Sequence, residues 1–201
     1  MPSAVCPQCG QCPVHAILGG LCPFCLLSAG RNYEYTIVNV LGRGDNGTIY
    51  LAEQRPTHRL VTLKLLNEVS DGDAVVERLQ YQRHALATLA HPVAARFVDV
   101  GLTGDRRPYV IREYLRGTPI TVHCEQSQSD RSTRQRLLAS VFDVIAHAHR
   151  HGITHGGLKA SNVFVINPHR EPTVRVMDFG LRGARPADDA AALERLTAAL
   201  R

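Results

Sequence analysis

The chain holds 201 residues, 44% of them hydrophobic and 20% charged, which is enough for one substantial core with a small appendage and too short for two ordinary domains. Lys and Arg outnumber Asp and Glu by 23 to 18, and the resulting net charge of +5 permits an anionic partner without arguing for one. No run approaches the ~20 consecutive apolar residues of a membrane span. The opening Met1-Pro2-Ser3-Ala4-Val5-Cys6 lacks the basic and then apolar segments of a secretion signal, so the expected location is the cytoplasm.

Residues 1–30 are set apart by their cysteines. Cys6-Pro7-Gln8-Cys9 and Cys22-Pro23-Phe24-Cys25 are two Cys-x-x-Cys pairs separated by a short glycine-containing loop. Each pair can present two thiolates to one side, and two such knuckles close a tetrahedral four-sulfur site, so a structural zinc ion is expected on Cys6, Cys9, Cys22 and Cys25. A module this short has almost no core, and metal binding would supply much of its folding free energy. Cys12 and His15 are surplus potential ligands, with Cys12 read as a spare thiol. The segment contains no lysine, its first following arginine is Arg31, and Phe24 is its only aromatic residue. The ribbon is therefore expected to dock a protein partner rather than nucleic acid.

From Tyr33 the pattern changes to β-branched runs broken by glycine. Tyr35 to Leu41, Thr48 to Glu53 and Leu60 to Leu66 predict three strands of an antiparallel meander. A helical period follows from about Asp73 to Leu89 and stops at His91-Pro92, because proline disfavours helix in the residue before it. Arg96 to Gly101 and Tyr109 to Tyr114 predict two further strands, and the stretch after them is read as turn-rich. Thr133 to His149 predicts a second helix with Leu137, Leu138, Val141, Val144, Ile145 and Ala148 on its buried seam. Asn162 to Ile166 and Thr173 to Met177 predict a β-hairpin, and Ala187 to Leu200 a last small helix with Leu193, Leu196 and Leu200 on one side.

Four motifs fall in order along this frame: Gly42-Arg43-Gly44-Asp45-Asn46-Gly47, Val61-Thr62-Leu63-Lys64, His155-Gly156-Gly157-Leu158-Lys159-Ala160-Ser161-Asn162 and Asp178-Phe179-Gly180. Together they resemble the signature set of protein kinases. Pro108 to Gly117 is similar to the strand and hinge that contact adenine, and Ala146 to Ile153 resembles bacterial serine/threonine kinases of the eukaryotic-like (Hanks) type. The resemblance implies an α+β, protein-kinase-like bilobal fold over residues 31–201, with an antiparallel N-lobe at about 33–115 and a truncated helical C-lobe at about 116–201. It further implies that Gly42, Gly44, Gly47 and Lys64 hold the phosphates of ATP, that Glu113 and Leu115 lie at the base, and that Asn162 and Asp178 bind magnesium.

Several positions depart from the family. His155-Gly156-Gly157 replaces His-Arg-Asp, so the carboxylate that orients the acceptor hydroxyl is absent, a group whose contribution is about 10² to 10⁴ in rate. Neither His155 nor Lys159 is a convincing substitute base. Gln82 stands where a glutamate should pair with Lys64, and Glu77 is turned about 140° from it around the helix. Thr62 replaces a small residue beside the adenine, and Arg112 a neutral residue at the back of that pocket. After Asp178-Phe179-Gly180 the chain runs directly into Asp189-Ala190-Ala191-Ala192-Leu193, which resembles the start of the large lobe's central helix. There an aspartate supports the catalytic-loop backbone.

These features predict a pseudokinase that binds ATP and magnesium and serves as a scaffold or regulatory partner of another protein. The alternative is an active ATP-dependent serine/threonine kinase with an atypical catalytic loop. Exposed apolar surface around the last helix is also expected, which favours a homodimer or a protein partner.

Overall fold

A computed structural model describes residues 35–44, 47–67, 74–77, 80, 89–103, 106–167, 171–180 and 185–201. The expected zinc ligands Cys6, Cys9, Cys22 and Cys25, with Cys12 and His15, lie outside the described residues, as does Gln82. The chain divides into two units, Met1–Gln80 with Val98–Tyr114, and Tyr81–Phe97 with Leu115–Arg201.

The first unit is built on a five-stranded sheet whose strands are β1 (Tyr35–Gly44), β2 (Gly47–Gln54), β3 (Arg59–Leu66), β4 (Phe97–Leu102) and β5 (Pro108–Glu113). Their spatial order is β1-β2-β3-β5-β4, and β1 to β3 form the expected antiparallel meander. Alternation decides which side is buried, because successive side chains of a strand point to opposite faces. Val61, Leu63 and Leu65 of β3 pack with Tyr50 and Ala52 of β2, Tyr109 and Ile111 of β5, and Tyr35 of β1. Each valine, leucine or isoleucine side chain among them, removed from water, contributes about 1.5–3 kcal/mol. Thr62, Lys64 and Arg112 consequently fall on the other face. At the edge of the sheet, β1 shifts register between Ile37 and Asn39 and again between Val40 and Gly42, and it exposes Val38 and Leu41.

The second unit contains β6 (Gly117–Pro119), α1 (Ile120–Gln126), α2 (Arg131–Arg150), a 3₁₀ turn (Ala160–Asn162), β7 (Val163–Ile166), β8 (Thr173–Val176) and α3 (Pro186–Ala199). Strands β6, β7 and β8 pair antiparallel in that order. Helix α2 begins where Asp130 caps it: Thr133 N donates to Asp130 Oδ1 at 2.7 Å, satisfying one of the orphan amides of the first turn. That bond holds the Asp130 carboxyl below the usual aspartate range. Leu137, Leu138, Val141, Val144, Ile145 and Ala148 form the buried stripe of α2, as their spacing predicts.

Two expectations need correction here. The stretch after β5, read as turns, holds β6 and α1. The first buried residues of α1, Ile120, His123 and Cys124, recur at helical spacing, but the helix is only 7 residues long and rich in poor helix formers. Burial pushes the Cys124 thiol up, which suits an inert core residue. The last helix also exposes less than expected. Leu193, Leu196 and Leu200 are all buried, and the exposed large hydrophobic residues among those described are Val38, Leu41 and Phe142.

Candidate functional site

In the first unit the glycine-rich turn is drawn down onto β3. Gly44 pairs with Gly47, and Gly47 sits opposite Leu66 with φ of 137°, where a Cβ would lie 2.0 Å from the Leu65 carbonyl oxygen. Only glycine fits. Gly42 differs, since nothing lies within 4 Å of where its Cβ would be. The turn thus combines one glycine required by the backbone with one whose missing side chain leaves open space, the kind of surface a phosphate chain can approach. Lys64 stands opposite Ile49 on one side and Val110 on the other. Two residues along, Thr62 is opposite Arg112, and its Oγ1 donates to the carbonyl oxygens of Arg112 and Glu113, each at 3.5 Å. Glu113 ends β5, and both Glu113 and Leu115 are half-buried.

In the second unit the chain from His155 to Asn162 is held by a set of hydrogen bonds centred on Asp189, which is 1% exposed. Asp189 Oδ2 accepts from His155 N at 2.7 Å and Oδ1 accepts from Gly156 N at 2.9 Å, while His149 Nε2 lies 2.9 Å from Oδ2. Gly156 has φ of 73°, a left-handed conformation that glycine adopts at no steric cost. The His155 ring is fully buried, 4.7 Å from the Phe179 ring. Its Nε2 faces the Met177 carbonyl oxygen at 2.8 Å, and because a carbonyl only accepts, that nitrogen carries the proton. This histidine is therefore a fixture of the loop and cannot reach a substrate.

Asn162 and Asp178 are brought to neighbouring backbone positions. Met177 N, one residue before Asp178, donates to the Asn162 carbonyl oxygen at 2.8 Å. The Asn162 side-chain nitrogen donates to the Gly157 carbonyl oxygen at 3.0 Å, which leaves the amide oxygen as its ligand atom. Asp178 has φ of 67°, an uncommon left-handed backbone for a residue other than glycine that Asp tolerates better than most. A carboxylate and an amide oxygen suit a hard cation such as magnesium. Gly157 and Lys159 are exposed. Among the described residues no cluster of three or more His, Cys, Asp or Glu side chains could by itself hold a metal ion.

Comparison with known proteins agrees with this arrangement. The model of the protein kinase domain matches residues 35–194. The chain belongs to the protein kinase family. The serine/threonine-protein kinase pkn2 of Myxococcus xanthus is 29% identical over 88% of this chain and 21% of its own length. A probable serine/threonine-protein kinase PknB of Lactococcus lactis is 29% identical over 75% of this chain and 24% of its own. The chain thus spans about a fifth to a quarter of the length of these curated relatives. The crystal structure of the Mycobacterium tuberculosis PknI kinase domain superposes with a TM-score of 0.66 at 22% identity, covering 80% of this chain and 71% of that one, which shows the shared fold. Among the described residues no helix is long and apolar enough to cross a membrane.

The family motifs point to Asp189 as the support of the loop, and the hydrogen bonds to His155 and Gly156 bear that out. His149 falls in the Ala146 to Ile153 stretch that resembles bacterial kinases, but nothing in the sequence ties it to Asp189. It lies in the last turn of α2, where a histidine is ordinary near a helix C-terminus, and only the fold brings it to Asp189.

Proposed function

We propose that this kinase-family chain is a pseudoenzyme that binds ATP with magnesium and acts through a protein partner. The observation that carries this reading is the contrast at Gly157. The loop around it is supported by bonds from the His155 and Gly156 amides to Asp189 and from the Asn162 side chain to the Gly157 carbonyl, yet the position has no side chain with which to take a proton. In this reading Gly42, Gly44, Gly47 and Lys64 hold the phosphates, Glu113 and Leu115 the base, and Asn162 and Asp178 the magnesium ion. The metal, when bound, neutralises phosphate charge. The cysteines Cys6, Cys9, Cys22 and Cys25 would form a zinc-stabilised docking ribbon, and one bound zinc per chain in elemental analysis of the purified protein is the expected result.

Phosphate transfer from labelled ATP to protein substrates is expected near background. Robust turnover abolished by Lys64→Ala would instead establish the second reading, an active serine/threonine kinase with an unusual base. The presence of Lys64, Asn162 and Asp178 favours that alternative. Nucleotide binding is checked separately: ATP should raise the thermal midpoint, more so with magnesium, and no response at millimolar ATP would leave only a structural remnant.

A further inference from the structure

The end of α2 gathers histidines that the reading above leaves unused. His147 and His151 are four residues apart, the spacing that puts two side chains on one helix face, and their ring centroids lie 4.5 Å apart. The His91 ring is 5.1 Å from that of His147. Hydrogen bonds decide which of these nitrogens are open. His151 Nδ1 is 2.9 Å from the His147 carbonyl oxygen, and because a carbonyl only accepts, that nitrogen carries the proton and the Nε2 lone pair of the neutral ring is left for a ligand. His91 is committed at both nitrogens: Nδ1 accepts from Val93 N at 3.2 Å, so Nε2 holds the proton and donates to Asp143 Oδ2 at 3.1 Å. His147, half-buried, makes no hydrogen bond through its ring among the described residues. Two imidazoles therefore offer open lone pairs side by side. A proton does not readily fill that place, since desolvation and then the neighbouring His151, His91 and Arg150 push the His147 pKa down, with only the Asp143 carboxylate acting the other way.

We propose that His147 and His151 form a chelating pair for a divalent transition metal of the zinc, nickel or copper class, with water completing its shell. Imidazole nitrogen suits these ions. At His151 one ring nitrogen donates to a carbonyl while the other stays open, which is the arrangement that orients a metal-ligating histidine. The C-terminal end of a helix also favours a cation, because its unsatisfied carbonyls carry partial negative charge. With two protein ligands the site exchanges its metal with solvent, unlike a closed four-sulfur shell. The place of the pair gives it a consequence. His149, between them, bonds Asp189, and the chain leaves His151 for the loop at His155, so a metal joining His147 to His151 fixes the turn from which that loop is carried.

The test is calorimetric titration of the zinc-replete full chain with nickel chloride in excess magnesium, with thermal midpoints measured alongside. Wild type is compared with His147→Gln, His151→Gln and, as a control in the other unit, His58→Gln. Nickel should bind the wild type and raise its midpoint, and magnesium should not compete, because hard cations prefer oxygen ligands. Each pair variant should weaken nickel binding by about tenfold or more and lose the rise, while His58→Gln should behave as wild type. His151 is exposed, so its variant decides the matter even if His147→Gln does not fold. Nickel binding unchanged in folded His151→Gln would overturn the proposal, as would no uptake by the wild type. An equal loss in His58→Gln would show scattered binding by surface histidines and overturn it too.

Discussion

The glycine turn over β3 and the loop from His155 to Asn162 have kept different things. In the turn, one glycine is demanded by the backbone and another borders open space. In the loop, the supports are backbone amides, a buried carboxylate and a buried histidine, and all are in place. At Gly157 the loop carries no side chain, and its carbonyl oxygen accepts from the Asn162 side chain. The contrast separates support from side-chain chemistry: Asp189, far along the chain, accepts from two amides of this loop, whereas position 157 contributes only its backbone carbonyl.

Three substitutions test that division. Asp189→Ala should have the largest effect, because it leaves the amides of His155 and Gly156 without their acceptor. A loss of about 3–5 kcal/mol in urea denaturation is expected, and a loss below about 1 kcal/mol would refute its central place. Gly47→Ala should cost about 3 kcal/mol, since it forces both a strained backbone and a displacement of Leu65. Gly42→Ala, by contrast, should remain within about 0.5 kcal/mol of wild type while reducing the thermal response to ATP. Equal destabilisation by the two glycine variants would erase the distinction drawn between them.

A smaller effect is expected at Asp130, far from either motif. Its folded carboxyl is held low by the Thr133 amide, so its stabilisation is complete above the ordinary aspartate value of about 3.9 and disappears as pH falls through the lowered folded value. Asp130→Ala should lower the denaturation midpoint at neutral pH, and the two proteins should converge in acid. The least effect concerns His147, whose ring lies 5.1 Å from that of His91 and 4.5 Å from that of His151. Desolvation first, and then the neighbouring His151, His91 and Arg150, push its pKa down. The unfolded chain therefore takes up this proton earlier than the folded one, and stability should decline as pH drops below about 6.5. His147→Gln should flatten that decline.

Much of the fold was legible because its signals were periodic. The alternation of Val61, Leu63 and Leu65 marks a strand with one buried face, and the α2 stripe from Leu137 to Ala148 marks a helix. Helix α1 escaped because 7 residues give barely two turns of period and its composition argues against helix. The motif residues were legible as types in order, but their supports were not. Nothing local to His149 announces Asp189, 40 positions away, and nothing local to Gly47 announces the Leu65 carbonyl. The exposure expected of the last helix failed for a related reason: a leucine stripe shows that a face will be covered, while only the packed structure shows that Leu193, Leu196 and Leu200 already are.

The two register shifts in β1 have a consequence for assembly. An open sheet margin invites strand addition from another molecule, and bulges are a standard means of spoiling that template by twisting its hydrogen-bonding groups out of line. With Val38 and Leu41 exposed on such a distorted rim, association through continuous cross-molecule β pairing is disfavoured. Among the described residues, this rim offers a partner exposed apolar side chains in place of a regular backbone ladder.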